Sequence, residues 1–180
     1  MIYSPEEDSY LLESQVRKYA KNKSFIDIGS GSGIQAISAI KGKAKSVTVS
    51  EVDEESLKYL REQFKGENIK IIKSNLFSKI KGKFDLIAFN PPYLPEDKLE
   101  DKESRRATTG GKKGDEIIVR FLNQAVKHLN KEGIILLVVS SLTPKERISK
   151  TLKNLKLKKK VLSKEKLFFE YLEVWKIIVK

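Results

Sequence analysis

Short apolar runs alternate with amphipathic stretches along most of the chain, and that alternation predicts its elements. Residues 24–28 (Ser-Phe-Ile-Asp-Ile) form a buried-strand pattern that runs into the glycine-rich stretch 29–33, and the helical run 34–40 follows. A second strand over 45–50 ends at Glu51. The next helix, over 53–65, carries Leu57, Leu60 and Phe64 at three- and four-residue spacing. Residues 69–72 and 84–89 read as strands three and four, the second ending at Asn90. Ile117, Ile118, Phe121, Leu122, Ala125, Val126 and Leu129 mark another helix. Residues 133–140 form the most apolar strand of the chain.

At the N-terminus, within residues 1–22, Ser4 as N-cap, Pro5 at the first helical position and Glu7 as capping-box acid predict a helix. Thr143, Pro144 and Glu146 repeat that pattern and start a helix to about residue 155. Two late strands, around 157–162 and 168–179, have no long helix between them. Parallel neighbours need a long crossover, so the last strand is expected to be antiparallel and inserted beside a parallel set. The expected fold is a single α/β domain over residues 1–180, Rossmann-like and doubly wound, with seven strands in a mostly parallel sheet. Trp175, in the last strand, is expected in the core. Residues 94–113 carry charge, Thr and Gly without apolar periodicity, which predicts a long substrate-side loop.

Composition narrows the function classes. The 180 residues are 39% hydrophobic and 33% charged, which suits a globular domain. No cysteine and a single histidine, His128, leave no basis for a thiolate or His-cluster metal site or a His-based triad. No apolar run reaches the ~18 residues of a membrane span. The acidic start, with no signal-peptide core, makes a cytoplasmic protein the expectation. The net charge of +12 attracts nucleic acid, ribosomes or acidic partners, yet a lysine- and glutamate-rich surface is also that of a heat-adapted protein.

Candidate chemistry lies at the strand ends. Gly29, Gly31 and Gly33 follow Asp27 in a G-x-G-x-G spacing, whereas a pyrophosphate-binding turn has G-x-G-x-x-G. Asp27 repels phosphates and suits an ammonium or sulfonium group. Glu51 is placed to accept both ribose hydroxyls of an adenosine; Asp53 competes for that role or caps the next helix. Asn75 stands either where an adenine edge is read or as a turn residue, with Leu76 and Phe77 able to cover the ring. Asn90-Pro91-Pro92-Tyr93 is either a strand-ending turn or a clamp for a planar amino group. In the clamp the Asn90 side chain and the Pro91 carbonyl each accept one hydrogen while Tyr93 stacks on the plane. The ligand these residues describe has an adenosine, a positive charge and no phosphates: S-adenosylmethionine fits, NAD less well.

At these residues the chain resembles the class I, seven-stranded S-adenosylmethionine-dependent methyltransferases. Tyr3-Ser4-Pro5-Glu6-Glu7-Asp8-Ser9-Tyr10-Leu11-Leu12 and Gly110-Gly111-Lys112-Lys113-Gly114, followed by a helix with Arg120-Phe121, resemble the archaeal and eukaryotic branch of the HemK-type protein methyltransferases. The resemblance spans nearly the whole chain, without the extra N-terminal helical domain of bacterial relatives. It implies N5-methylation of the glutamine in the Gly-Gly-Gln motif of the class I translation release factor; some eukaryotic members are described as lysine methyltransferases. It places Ser9, Asp27, Gly29, Glu51, Asn75 and Leu76 on cofactor positions and Asn90 on the position shared with substrate. Where Asn75 stands the family usually has Asp. The resemblance also implies a small zinc-binding activator protein at the edge formed by strand three. The competing reading is methylation of an exocyclic amino group in RNA or DNA, because a clamp for a planar nitrogen fits a flipped base as well as an amide. The net charge of +12 favours it, but the most basic stretch, 145–166 with ten Lys and Arg against two Glu, lies late in the chain, away from the motif strands and without interleaved aromatics.

Overall fold

The computed structural model describes residues 5–92 and 114–180. Its elements in chain order are α1 (Glu7–Tyr19), β1 (Ser24–Ile28), α2 (Ile34–Lys41), β2 (Ser46–Glu51), α3 (Glu54–Gln63), β3 (Ile69–Lys73), β4 (Phe84–Phe89), α4 (Glu116–Ala125), β5 (Leu129–Ser140), α5 (Glu146–Asn154), β6 (Leu157–Lys166) and β7 (Tyr171–Val179). The strands form one sheet in the order β3-β2-β1-β4-β5-β7-β6. The five strands from β3 to β5 pair in parallel. β7 is antiparallel to both β5 and β6, as expected for a sheet closed by two late strands.

Strand alternation divides the core into two faces. From β4, Leu86 and Ala88 join a cluster with Leu12 and Val16 of α1, Ala36 and Ala39 of α2 and Leu60 of α3. Ile87 and Phe89, one residue out of step, join the opposite cluster with Ile118, Phe121 and Leu122 of α4 and Ile148 of α5. Because both faces are covered, β4 and the second half of β5 read as continuous apolar runs rather than alternating ones. Trp175 is fully buried in the second cluster, as expected.

Four boundaries depart from the sequence expectation. α1 begins at Glu7, with Glu6 as an extended N-cap that forms no side-chain cap bond; Pro5 precedes the helix and Ser4 lies outside the described residues. Glu7 and Asp8 instead place negative charge in the positive first turn. α5 begins at Glu146 rather than at Pro144, because the Thr143 N–H turns back to the Ser140 carbonyl (3.2 Å) and Lys145 becomes the cap. β5 starts at Leu129, four residues before the apolar run; Glu132 at φ +65° interrupts its register against β4. β7 starts at Tyr171, since Leu167 to Glu170 close a turn (N–H to O, 2.8 Å) that leaves Phe168 and Phe169 exposed. The expected loop over 94–113 lies outside the described residues.

Candidate active site

The turn after β1 is built on the end of β2. The N–H groups of Gly29 and Ser30 donate to the Ser50 carbonyl (2.8 and 3.1 Å), and Gly31 N–H donates to Glu51 Oε2 at 3.0 Å. Gly29 and Gly31 have φ of +68° and +49°, a backbone region where side chains are strained. Both line a cavity of about 580 Å³ at the C-terminal ends of β1 to β4, a volume suited to a small ligand. Gly33 does not line it. At φ +76° it caps α2, and a Cβ there would lie 2.9 Å from the side chains of Leu60 and Phe64. Its lack of a side chain lets α2 pack closely on α3.

Asp27 lines the cavity at the end of β1, 2% exposed, and its Oδ2 has no hydrogen-bond partner among the described residues. Burial pushes its carboxyl up to about 8; Ser30 partly offsets this and the charge of Glu51 adds to it. At neutral pH the group is therefore held protonated until a cation arrives. Glu51 is fixed by the chain itself: besides Gly31, the N–H groups of Val52 (2.6 Å) and Asp53 (3.1 Å) donate to its Oε1. Asp53 caps α3 by accepting from Ser56 N–H at 2.9 Å, and that bond holds its carboxyl below the usual carboxylate range. Both acids line the cavity; three backbone N–H groups already engage the Glu51 carboxylate, and the N-terminus of α3 takes one bond from Asp53.

Asn75 and Leu76 follow β3 into the same cavity, with Leu76 at φ +49°. Oδ1 of Asn75 already accepts a hydrogen bond from Arg120 of α4 at 3.0 Å, a contact that nothing in the local sequence announces. Asn90, Pro91 and Pro92 line the cavity beyond β4, and Phe89 beside them meets the Phe121 ring with centroids 4.5 Å apart. Asn90 Oδ1 is buried and has no partner among the described residues. Tyr93 lies outside them. Ser9 is buried on the cavity wall in α1, and its carbonyl accepts from Gln35 Nε2 at 3.0 Å.

The structure thus gathers Ser9, Asp27, Gly29, Gly31, Glu51, Asn75, Leu76, Asn90 and Pro91 around one cavity and leaves Gly33 out of it. It adds Asp8, Gln35, Arg120 and Glu170, which sequence reasoning missed. Asp8 was within reach, since it adjoins Ser9 in the N-terminal signature. Glu170 arrives through the fold: its carboxylate accepts from Ser140 Oγ, thirty residues away. The cavity is acidic in a chain of net charge +12. Glu6, Asp8, Asp27, Glu51, Asp53, Glu55 and Glu170 line it, against Arg120 as the one lining cation among the described residues. Such a lining disfavours phosphates and favours a positively charged ligand.

The methyltransferase small domain family matches residues 6–169. The "Putative protein N5-glutamine methyltransferase" of Methanocaldococcus jannaschii is 37% identical over 177 residues, which span 96% of this chain and 89% of that protein. Among solved structures, the Mtq2 chain of the E. cuniculi Mtq2–Trm112 complex, described as responsible for methylation of the eRF1 translation termination factor, matches with a TM-score of 0.76 at 24% identity. The match covers 99% of this chain and 98% of that one. The T. thermophilus 16S rRNA methyltransferase RsmC, solved with AdoMet and guanosine, has a TM-score of 0.71 at 16% identity, covering 98% of this chain and 44% of that one. Among the described residues no helix is long and apolar enough to cross a membrane.

Proposed function

The chain belongs to the HemK-type protein N5-glutamine methyltransferases of the methyltransferase small domain family, and we propose that it methylates the Gly-Gly-Gln glutamine of the class I translation release factor, with S-adenosylmethionine as donor. The observation that carries this reading is an acidic cavity in a basic protein that ends, at β4, in the amide oxygen of Asn90, buried and without a partner among the described residues. When bound, S-adenosylmethionine supplies an electrophilic methyl group on a positively charged sulfur. Asp27 and the Gly29–Gly31 turn receive its charged amino-acid end, Glu51 accepts from the ribose hydroxyls, and Asn75 and Leu76 read the adenine. Ser9 closes the wall behind.

A glutamine amide nitrogen is a weak nucleophile because its lone pair is delocalised into the carbonyl. Asn90 Oδ1 and the Pro91 carbonyl accept its two hydrogens and turn the lone pair towards the methyl group. With the donor bound, transfer of its methyl group to this nitrogen would release the thioether and one amide proton to solvent. Orientation of this kind supplies roughly 7–11 kcal/mol when the geometry is right, so no strong base is required.

The release factor is the substrate of this proposal, in the cytoplasm where translation takes place. β3 is an edge of the sheet whose Ile69, Ile71 and Ile72 are only partly buried. Its row of free ladder groups suits an added strand from the small zinc-binding activator protein that the family resemblance implies. Exposed lysines on β6 and α5 favour a second reading, methylation of an exocyclic amino group in RNA, or at least contact with the ribosome. A label-transfer assay with radioactive S-adenosylmethionine, offered the cognate release factor and total RNA side by side, separates the two. Label in the release factor supports the first reading, and label in RNA alone overturns it.

A further inference from the structure

Helix α4 closes the cavity over the turn that follows β3. Its apolar face, with Ile118, Phe121, Leu122 and Ala125, is buried in the core. One turn apart, Arg120 and Gln124 reach the β3 turn at two points: Arg120 Nη2 donates to Asn75 Oδ1 (3.0 Å), and Gln124 Oε1 accepts from Phe77 N–H (3.2 Å). The Phe77 and Phe121 rings, with centroids 5.8 Å apart, join the same two segments. Within the turn, Ser74 Oγ donates to the Leu76 carbonyl (2.8 Å) and accepts from Lys79 N–H (3.1 Å), which holds the left-handed residue Leu76 in place.

The contact with Arg120 has a chemical consequence for Asn75. An amide side chain carries an acceptor on one branch and two donors on the other, and rotation by half a turn about its last bond exchanges them. A guanidinium only donates, so the Asn75 atom facing Arg120 is its oxygen. Asn75 is exposed and its side chain has no other partner among the described residues, so Arg120 is what selects between the two orientations. A carboxylate at the same position would need no such selection, because both of its branches accept.

We propose that Arg120 is a positioning residue that locks the Asn75 amide with its oxygen in place, and thereby makes the cavity selective for a 6-amino over a 6-oxo purine in the cofactor. The selection works through Oδ1, whose second lone pair accepts from the adenine amino group while the first is held by Arg120. Released from Arg120, the amide can turn its NH2 to a 6-oxo group and satisfy inosine as well as adenosine. The inference rests on the reading that the cavity holds an adenosine-bearing cofactor.

Calorimetric titration with S-adenosylhomocysteine and with its 6-oxo analogue, S-inosylhomocysteine, tests it on four proteins: wild type, Arg120→Met, Asn75→Asp, and the double variant. In the wild type the adenosyl compound binds more tightly. Arg120→Met narrows that preference about fivefold or more, the size of one hydrogen bond gained by one ligand or lost by the other. Asn75→Asp restores the preference in the presence or absence of Arg120, because a carboxylate cannot donate at neutral pH. Equal weakening of both ligands by Arg120→Met, or an unchanged ratio, overturns the proposal and leaves Arg120 a structural tie between α4 and β3. If the wild type binds neither compound, the cofactor reading itself fails and this inference falls with it.

Discussion

The two sides of the cavity treat their polar atoms differently. On the side of β2 and β3, Glu51 and Asn75 are already hydrogen-bonded within the chain: the carboxylate accepts three backbone N–H groups, and the amide oxygen accepts from Arg120. On the side of β1 and β4, Asp27 Oδ2 and Asn90 Oδ1 are buried with no partner among the described residues. Buried polar atoms rarely stay unpaired in a folded protein, since each costs about 1–3 kcal/mol. The first side is a shape prepared in advance, and the second carries acceptors that a ligand must complete. On the proposed function, ribose and adenine belong to the prepared side, and the charged methyl donor and the accepting nitrogen to the other.

The largest expected effect comes from the unpaired side. Asn90→Ala removes an acceptor that acts on the substrate amide, so turnover should fall by about 10²–10³-fold, the usual scale for losing one such dipole. Cofactor affinity measured by calorimetry should change little. A comparable loss in affinity would place Asn90 with the cofactor alone and dissolve the contrast.

Asp27 gives the next effect, through pH. Its carboxyl titrates at about 8 and binds a cation only when ionised. Cofactor affinity should therefore climb with pH, approaching tenfold per unit below that value and levelling above it. Asp27→Asn should weaken binding and flatten the profile. A flat profile in the wild type would show that Asp27 does not face the cofactor's charge. The sign for folding is opposite. Asp27 keeps its proton in the folded state but loses it in the unfolded chain near pH 4, so the cofactor-free protein should lose stability as pH rises from about 4 to about 8. Thermal unfolding across that range, compared with Asp27→Asn, checks the direction.

On the prepared side, Glu51→Gln should weaken the cofactor by about tenfold, the loss of a charge-assisted hydrogen bond to the ribose, with saturated turnover nearly intact. A collapse of turnover would mean that Glu51 shapes the reacting side too. The smallest effect on ligands belongs to Gly33. Gly33→Ala puts a side chain at φ +76° against Leu60 and Phe64, which should cost about 2 kcal/mol of stability and leave the affinity of the folded fraction unchanged. Denaturant unfolding with a parallel titration reads both quantities.

Local patterns carried much of this into the sequence. β1 to β4 and the turn at Gly29–Gly31 are strong signals because apolar runs, glycines and strand-ending acids fall together within 70 residues or so of one another. The different anchoring of Glu51, by backbone donors, and of Asp53, by the α3 cap, is visible only in the structure. The start of β5 was hidden by Asn130, Lys131 and Glu132, polar residues that read as a turn but continue the strand around an irregular step against β4. Gly33 looked like a third ligand glycine because spacing cannot tell a close approach of a ligand from that of a neighbouring helix. Arg120 was beyond reach as a site residue: it meets Asn75 across 45 residues, and only the packing of α4 brings the two together.

Asn90, on the unpaired side of the cavity, is the residue proposed to orient a protein glutamine for methylation. The most direct measurement is peptide mass spectrometry of the cognate release factor after incubation with S-adenosylmethionine and either the wild-type enzyme or Asn90→Ala. One added methyl group is expected on the side-chain nitrogen of the Gly-Gly-Gln glutamine with the wild type and almost none with the variant. A methyl group on another residue, or equal methylation by the variant, would contradict it.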